Sequence, residues 1–214
     1  MLFDFATLSP TNCYKLLTST VVPRPIAWVV SQDADGRLNA APFSFFNALS
    51  GDPPLVMVSI DGRRPAGAPA TWKDSGANIR ATGQFVVNLV PYALCEQMNI
   101  TAIEFDHDVS ELAEAGLSTL PSSRIRPPRI AESPVALECE RFTIVEIDSL
   151  RTLVIGRVLA MHVRDDAVLD AQRCYIDTPR LDLIGRMHGG GWYARTTDRF
   201  EVPRIPVAEW TRRS

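Results

Sequence analysis

The alternation of apolar and polar positions divides the chain into short β-type runs interrupted by a few helical segments. Ser9 followed by Pro10 is an N-cap and first-turn pair, so SPTNCYKLLTST is expected to begin as a short helix, ended by its β-branched residues and Pro23. PIAWVVSQ and RLNAAPFSFF are separated by DADG, a hairpin signal. In it Gly36 supplies positive φ, and Asp33 and Asp35 serve as turn residues rather than a catalytic pair. PLVMVSI and QFVVNLV are Val-rich runs of the kind found in mostly buried strands. Between them, TWKDSGANIRATG predicts a short helix capped by Asp74 or Ser75, running through Ile79 and stopping near Gly83. YALCEQMNITAIEF and VSELAEAGL also read as helical, the latter closed by Gly116. After a Pro-rich connection, ALECERFTIVEIDS and RTLVIGRVLAMHVRDD predict a second antiparallel pair.

Strands outweigh helices, no fixed-period repeat is present, and the strands are not spaced by the regular helices of a doubly wound sheet. The expected architecture is mainly β: an antiparallel barrel of Greek-key type with peripheral helices, because closure removes the edges that such apolar strands would otherwise expose. The 214 residues suit one domain spanning 1–214, long enough to bury its core without a metal or disulfide.

Composition narrows the function classes. With 46% hydrophobic and 22% charged residues the chain should fold, and a formal charge of −3 provides no global basic field, so nucleic acid is not an expected partner. The local cluster Arg124, Arg126 and Arg129 lies in SSRIRPPRI, where Pro127 and Pro128 favour an exposed, extended loop. Cys13, Cys95, Cys139 and Cys174 are widely spaced without C-x-x-C pairs, so reduced thiols and no metal site are expected. MLFDFATLSP has no basic segment and carries Asp4 where a signal peptide is apolar, and no window approaches about eighteen uninterrupted apolar residues. A cytoplasmic protein without a membrane partner is expected.

G-x-S-x-G, H-E-x-x-H and Walker sequences are absent, and Gly189 to Gly191 do not form G-x-G-x-x-G after a strand. What remains is polar residues placed for a planar, phosphorylated ligand. In NAAPFSFFN, Ser44 and Asn47 can meet the polar rim of a ring, with backbone groups around Ala40 to Phe45 as further partners. In KDSGAN, Lys73 and Ser75 stand at a helix N-terminus, where free amides and the dipole favour phosphate. Taken singly, each also fits a solvated lysine or a locally satisfied strand residue, and spacing alone does not name the ligand.

The run VVPRPIAWVVSQDADGRLNAAPFSFFNALSGDPPLVMVSI, followed by KDSGANIRATGQFVVNLV, closely resembles the flavin reductase-like family of the nitrilotriacetate monooxygenase component B type, from about Tyr14 to about Phe200. The motifs are RPIAW, APFSFFN with DPP, and KD-S-x-x-N-I. The resemblance implies an FMN-binding split-barrel fold and a homodimer holding FMN, with FAD the alternative, in a groove near the subunit interface. It also implies NADH or NADPH as electron donor and, in many members, a partner monooxygenase that receives reduced flavin. By match to the motifs, Asn39, Pro42, Ser44, Phe45 and Asn47 would line the ring and ribityl chain, Ser59 would follow on the next strand, and Lys73, Ser75 and Asn78 would form the phosphate end. Ser75 stands where many members have Thr, which keeps the hydroxyl. Arg24 belongs to the signature, with bracing of the barrel as its other reading. Arg63 and Arg64 either clamp phosphate or are solvated loop charges. In LIGRMHGGGWYARTTDRF, Arg186, His188, Trp192 and Tyr193 match a segment that approaches the flavin, often across the dimer. His188 is the candidate catalytic residue, orienting nicotinamide or substrate, with a plain surface histidine as the alternative. Three classes compete: an NAD(P)H:flavin oxidoreductase, an FMN-holding electron carrier or enzyme with its own organic substrate, and a flavin-binding protein without turnover.

Overall fold

The computed structural model describes residues 1–63, 67, 69–206 and 210. Seven strands form one antiparallel sheet: β1 (Ala27–Gln32), β2 (Leu38–Phe43), β3 (Phe46–Gly51), β4 (Pro54–Ile60), β5 (Gln84–Asn88), β6 (Val135–Glu146) and β7 (Thr152–Val163). Their spatial order is β2-β1-β5-β6-β7-β4-β3. The α-helices among the described residues are α1 (Pro10–Thr20), α2 (Asp74–Thr82), α3 (Cys95–Ile100) and α4 (Glu111–Glu114).

Local chemistry explains most boundaries. The Asp33 carboxylate accepts the N–H groups of Asp35 (2.9 Å) and Arg37 (2.8 Å) and pairs with the Arg37 guanidinium, which makes DADG the β1–β2 turn. Ser9 caps α1 by accepting from the Asn12 N–H. The N-cap of α2 is Lys73, with no side-chain cap, rather than the expected Asp74 or Ser75. Its other end closes as expected, where Gly83 takes φ +72° and donates its N–H to the Ile79 carbonyl at 3.0 Å.

The expected closure of the sheet into a barrel is corrected. The sheet is built from three hairpins, β1–β2, β3–β4 and β6–β7, with β5 inserted between β1 and β6, and its edge strands β2 and β3 are not paired. APFSFF, read as one strand, breaks at Ser44–Phe45, where the chain crosses from one sheet edge to the other. Phe46 packs against the inner core, whereas Phe45 is exposed and faces Tyr14, so consecutive aromatics leave on different sides of the corner. The Ser59 N–H of β4 donates to the Phe45 carbonyl at 2.9 Å and fixes this corner. Pro42 lies on edge strand β2, a position where a missing N–H is tolerated.

The central strands are buried on both faces, which is why their sequences are nearly continuous apolar runs. Val29, Val58, Phe85, Val87 and Val154 belong to the inner cluster, and Trp28, Val30, Val86, Met98 and Ile130 to the outer one. Gly156 accommodates Phe85: a Cβ added there would lie 2.5 Å from the Phe85 ring. Part of the outer cover is the 121–130 segment, expected to be an exposed linker. Arg124 and Arg126 are exposed, but Ile125, Pro127 and Ile130 are buried. The reason is Glu138 on β6, 0% exposed, whose carboxylate accepts the Ser123 and Arg124 N–H groups (2.7 Å each) and contacts His162 Nε2 at 2.6 Å. Burial alone would raise the Glu138 pKa, but these donors together hold it below its ordinary value. All four cysteines are free, and burial pushes the Cys139 thiol up to about 12. Among the described residues no helix is long and apolar enough to cross a membrane.

Candidate functional site

A polar groove follows edge strand β2 from the Ser44–Phe45 corner to the start of α2. Its outer hollow, about 190 Å³, is lined by Tyr14, Ser44, Phe45, Ser59 and Asp61, and its inner hollow, about 140 Å³, by Asn39, Arg63, Asp74, Ser75 and Glu111. Pro42, Phe43 and Lys73 line both, so the two hollows adjoin. A larger cavity of about 560 Å³ lies inside the sheet, against Phe46, Val56, Leu137 and Leu183. None of its described lining residues is charged, so the polar groove is the better candidate for a phosphorylated ligand.

The outer hollow offers flat surfaces with polar edges. The Tyr14 and Phe45 ring centroids are 6.4 Å apart. Ser44 Oγ lies 3.5 Å from Arg24 Nε. Arg24 is a brace: 6% exposed, it donates through Nη1 to the Thr18 and Val21 carbonyls at 2.7 and 2.9 Å, tying down the end of α1. Burial lowers its pKa, with the nearby Arg186 cation acting in the same direction and Tyr14 opposing.

The inner hollow joins Arg63 and Lys73 to the start of α2, beside the carboxylates of Asp74, Glu104 and Glu111. The first turn of α2 has no side-chain cap, Lys73 Nζ is 3.4 Å from Glu104, and Arg63 pairs with Asp74 at 3.1 Å. Arg63 Nε is buried without a hydrogen-bond partner among the described residues. His107 Nδ1 contacts Asp74 at 3.0 Å. Uncapped amides, an ammonium and an orphaned guanidinium N–H fit the donor needs of a phosphate monoester. Asn39 and Ser75 touch at 2.7 Å beneath them.

Several expected residues lie elsewhere. Asn78 is buried and donates to Ser31 Oγ at 3.2 Å, toward β1 and not toward the inner hollow. Asn47 is exposed on β3, bonded to the Ala48 N–H. Register places Asn47 beside Met57 and Ile155, and Ser59 beside Leu153, on the sheet face opposite the buried Val56, Val58 and Ile60. Arg186 and Tyr193 satisfy each other, guanidinium to hydroxyl and guanidinium over ring at 4.7 Å, across the ribbon Ile184–Arg186/Tyr193–Arg195. The Arg186 backbone pairs with that of Arg24, N–H to carbonyl at 2.7 and 2.9 Å. His188 is exposed beside Trp192 (5.8 Å), outside the groove lining, although the glycine turn passes Tyr14: a Cβ at Gly189 would be 3.8 Å from its ring. Arg64 lies outside the described residues.

Sequence reasoning missed Glu111. It opens the four-residue α4, is 6% exposed, and accepts the Ala40 N–H at 3.2 Å behind Asn39. Burial raises its pKa, the Asp74 charge adds to this, and the Ala40 N–H and Arg63 oppose. The only signal in VSELAEAGL was an acidic residue after a serine cap, which reads as ordinary helix capping.

The family model of the flavin reductase like domain matches residues 18–178. An uncharacterized protein of Deinococcus radiodurans is 43% identical over 212 residues, covering 97% of this chain and 91% of that one. The structure of Pseudomonas fluorescens 2-nitrobenzoate 2-nitroreductase NbaA superposes with a TM-score of 0.86 at 33% identity, covering 97% of each chain. Nitrilotriacetate monooxygenase component B from Bacillus cereus gives 0.84 at 30% identity, covering 94% of this chain and 98% of that one.

Proposed function

The chain belongs to the flavin reductase-like domain family, and on that premise we propose that it is an FMN-binding NAD(P)H:flavin oxidoreductase that supplies reduced flavin to a partner monooxygenase. The observation that carries this reading is that a ring-sized outer hollow adjoins, across Pro42, Phe43 and Lys73, an inner hollow with two cations at an uncapped helix start. Lys73, Arg63 and the α2 amides would hold the phosphate, with Ser75 and Asn39 beneath it. Tyr14, Pro42 and Phe45 would flank the ring system, while Ser44, Ser59 and the β2 backbone meet its polar edge. When bound, the flavin supplies the hydride-accepting ring chemistry, with NADH or NADPH as donor. The protein's share is then to align the two rings, exclude water and stabilise negative charge, with Lys73 and backbone N–H groups as electrostatic support and no obligatory acid or base.

A homodimer completes the reading. Asn47, Met57, Ser59, Leu153 and Ile155 share one sheet face, and Val145 extends it with 47% exposure. A second copy on this face brings Asn47 and the glycine turn with His188 into play at the ring end. Asn78 supports the inner hollow through Ser31, and Arg186 with Tyr193 steadies the turn.

Mixing the purified protein with NADH and FMN under air should give rapid, flavin-dependent loss of nicotinamide absorbance. A yellow protein that neither NADH nor NADPH bleaches anaerobically would refute the assignment. A second reading, reduction of the protein's own organic substrate, is favoured by the 33% identity to a nitroreductase. It predicts consumption of a nitroaromatic at the expense of NADH or NADPH, with catalytic flavin and no oxygenase present.

A further inference from the structure

We propose that Glu111 is a positioning residue which sets, through Asn39, the direction of the Ser75 hydroxyl hydrogen, so that binding of an organic phosphate in the inner hollow is coupled to uptake of one proton from solvent by Glu111. The inference rests on the reading of that hollow as the flavin-phosphate end.

The geometry is a three-member relay. The Asn39 amide lies 2.7 Å from Ser75 Oγ on one side and 3.0 Å from Glu111 Oε1 on the other, while Glu111 Oε2 accepts the Ala40 N–H. Hydrogen positions follow from satisfying this network. An ionised carboxylate only accepts, so the Asn39 NH₂ must face Glu111, and the Asn39 oxygen must accept the Ser75 hydroxyl. Ser75 then spends its single donor inward and has only lone pairs for the hollow, the wrong polarity for a phosphate.

Protonation inverts the relay. A neutral Glu111 donates its O–H to the Asn39 oxygen and still accepts from Ala40. Asn39 turns its NH₂ to Ser75 Oγ, and the hydroxyl hydrogen is released toward the hollow. Ser75 is 1% exposed yet lines that hollow, so the freed donor is available to an anion bound there. The charges around Glu111 are Asp74, Arg63, Lys73 and Glu104 in the inner hollow and Arg37 and His107 on the far side of Asn39. An incoming phosphate adds negative charge to this set, which favours protonation further. Burial already disfavours the ionised form.

Glu111→Gln imitates the neutral state: its oxygen accepts from Ala40 and its NH₂ faces the Asn39 oxygen. Calorimetric titration with FMN in buffers of different ionisation enthalpy counts the protons exchanged. The phosphate of FMN titrates near pH 6 in both proteins and cancels in the comparison. Wild type should take up more protons than Glu111→Gln, and its FMN affinity should fall more steeply with rising pH, by up to about tenfold per pH unit. Ser75→Ala, which removes the hydroxyl served by the relay, should reduce the excess steepness of wild type. This second variant carries the test if Glu111→Gln does not give the wild-type far-ultraviolet spectrum. FMN binding with equal proton uptake and equal pH slopes in all three proteins would overturn the relay alone. No FMN binding to wild type would overturn the relay and the site reading together.

Discussion

Arg24→Met separates bracing from ligand binding. The guanidinium donates from Nη1 to the Thr18 and Val21 carbonyls at 2.7 and 2.9 Å, next to a Thr18 that is 0% exposed, so the variant keeps an apolar stem but orphans two acceptors at the end of α1. Hydrogen bonds to a charged donor contribute about 1.5–3 kcal/mol each, and the two share one nitrogen, so a loss of about 3 kcal/mol is expected. For a chain of this size that corresponds to a fall in Tm of roughly 6–12 °C. Thermal unfolding followed by circular dichroism, without ligand, reads it directly. FMN affinity at low temperature should change by less than about threefold, because Arg24 does not line either hollow and stands behind Ser44 at 3.5 Å and the Phe45 ring at 5.9 Å. A Tm within about 1 °C of wild type, together with a large loss of FMN affinity, would refute the bracing role and make Arg24 a ligand contact.

Lys73→Ala should show the opposite pattern, with FMN affinity weakened about five- to tenfold by fluorescence quenching and Tm unchanged; an unchanged dissociation constant would contradict its place at the phosphate end. Glu138→Gln should cost about 2–4 kcal/mol at neutral pH, because an NH₂ group replaces one acceptor facing N–H donors. Since the native Glu138 pKa is depressed, its stabilisation is complete above the unfolded carboxylate value of about 4.3 and is lost as the pH falls through the lower native value. The urea midpoints of the two proteins should therefore converge in acid, and a constant gap would contradict the assignment. Gly156→Ala drives a Cβ to 2.5 Å from the Phe85 ring and should lower stability by about 1–3 kcal/mol, with partial recovery in the double variant Gly156→Ala/Phe85→Leu.

Local chemistry made much of the fold readable. The DADG turn, the Ser9–Pro10 start and the Gly83 stop each depend on residues within one turn of one another, and each stands where the sequence places it. Strand β3 was hidden because its residues are mostly exposed and follow an apolar run without punctuation, so nothing in APFSFFNALSG marks a break after Phe43. The 121–130 segment looked solvated because its polar backbone is satisfied by Glu138, a partner far along the chain. The groove was legible in part for the same reason. Pro42, Ser44 and Lys73 come from neighbouring motifs and do meet, whereas Glu111 arrives from a remote helix and Asn47 lies further along β3, outside the lining of both hollows.

The two-residue link Ser44–Phe45 constrains length as strictly as chemistry. Because side chains alternate along a strand, one residue more or less at this link would exchange the inward Phe46 and Val58 with the outward Asn47 and Ser59, unless the strands slipped to compensate. Lengthening the chain between Gly62 and Thr71 leaves that parity untouched, since among the described residues no strand of the main sheet lies there. Tolerance of the fold to insertions should therefore differ sharply between two segments that border the same groove, and a scan of single-residue insertions would map the seam of the sheet without reference to any ligand.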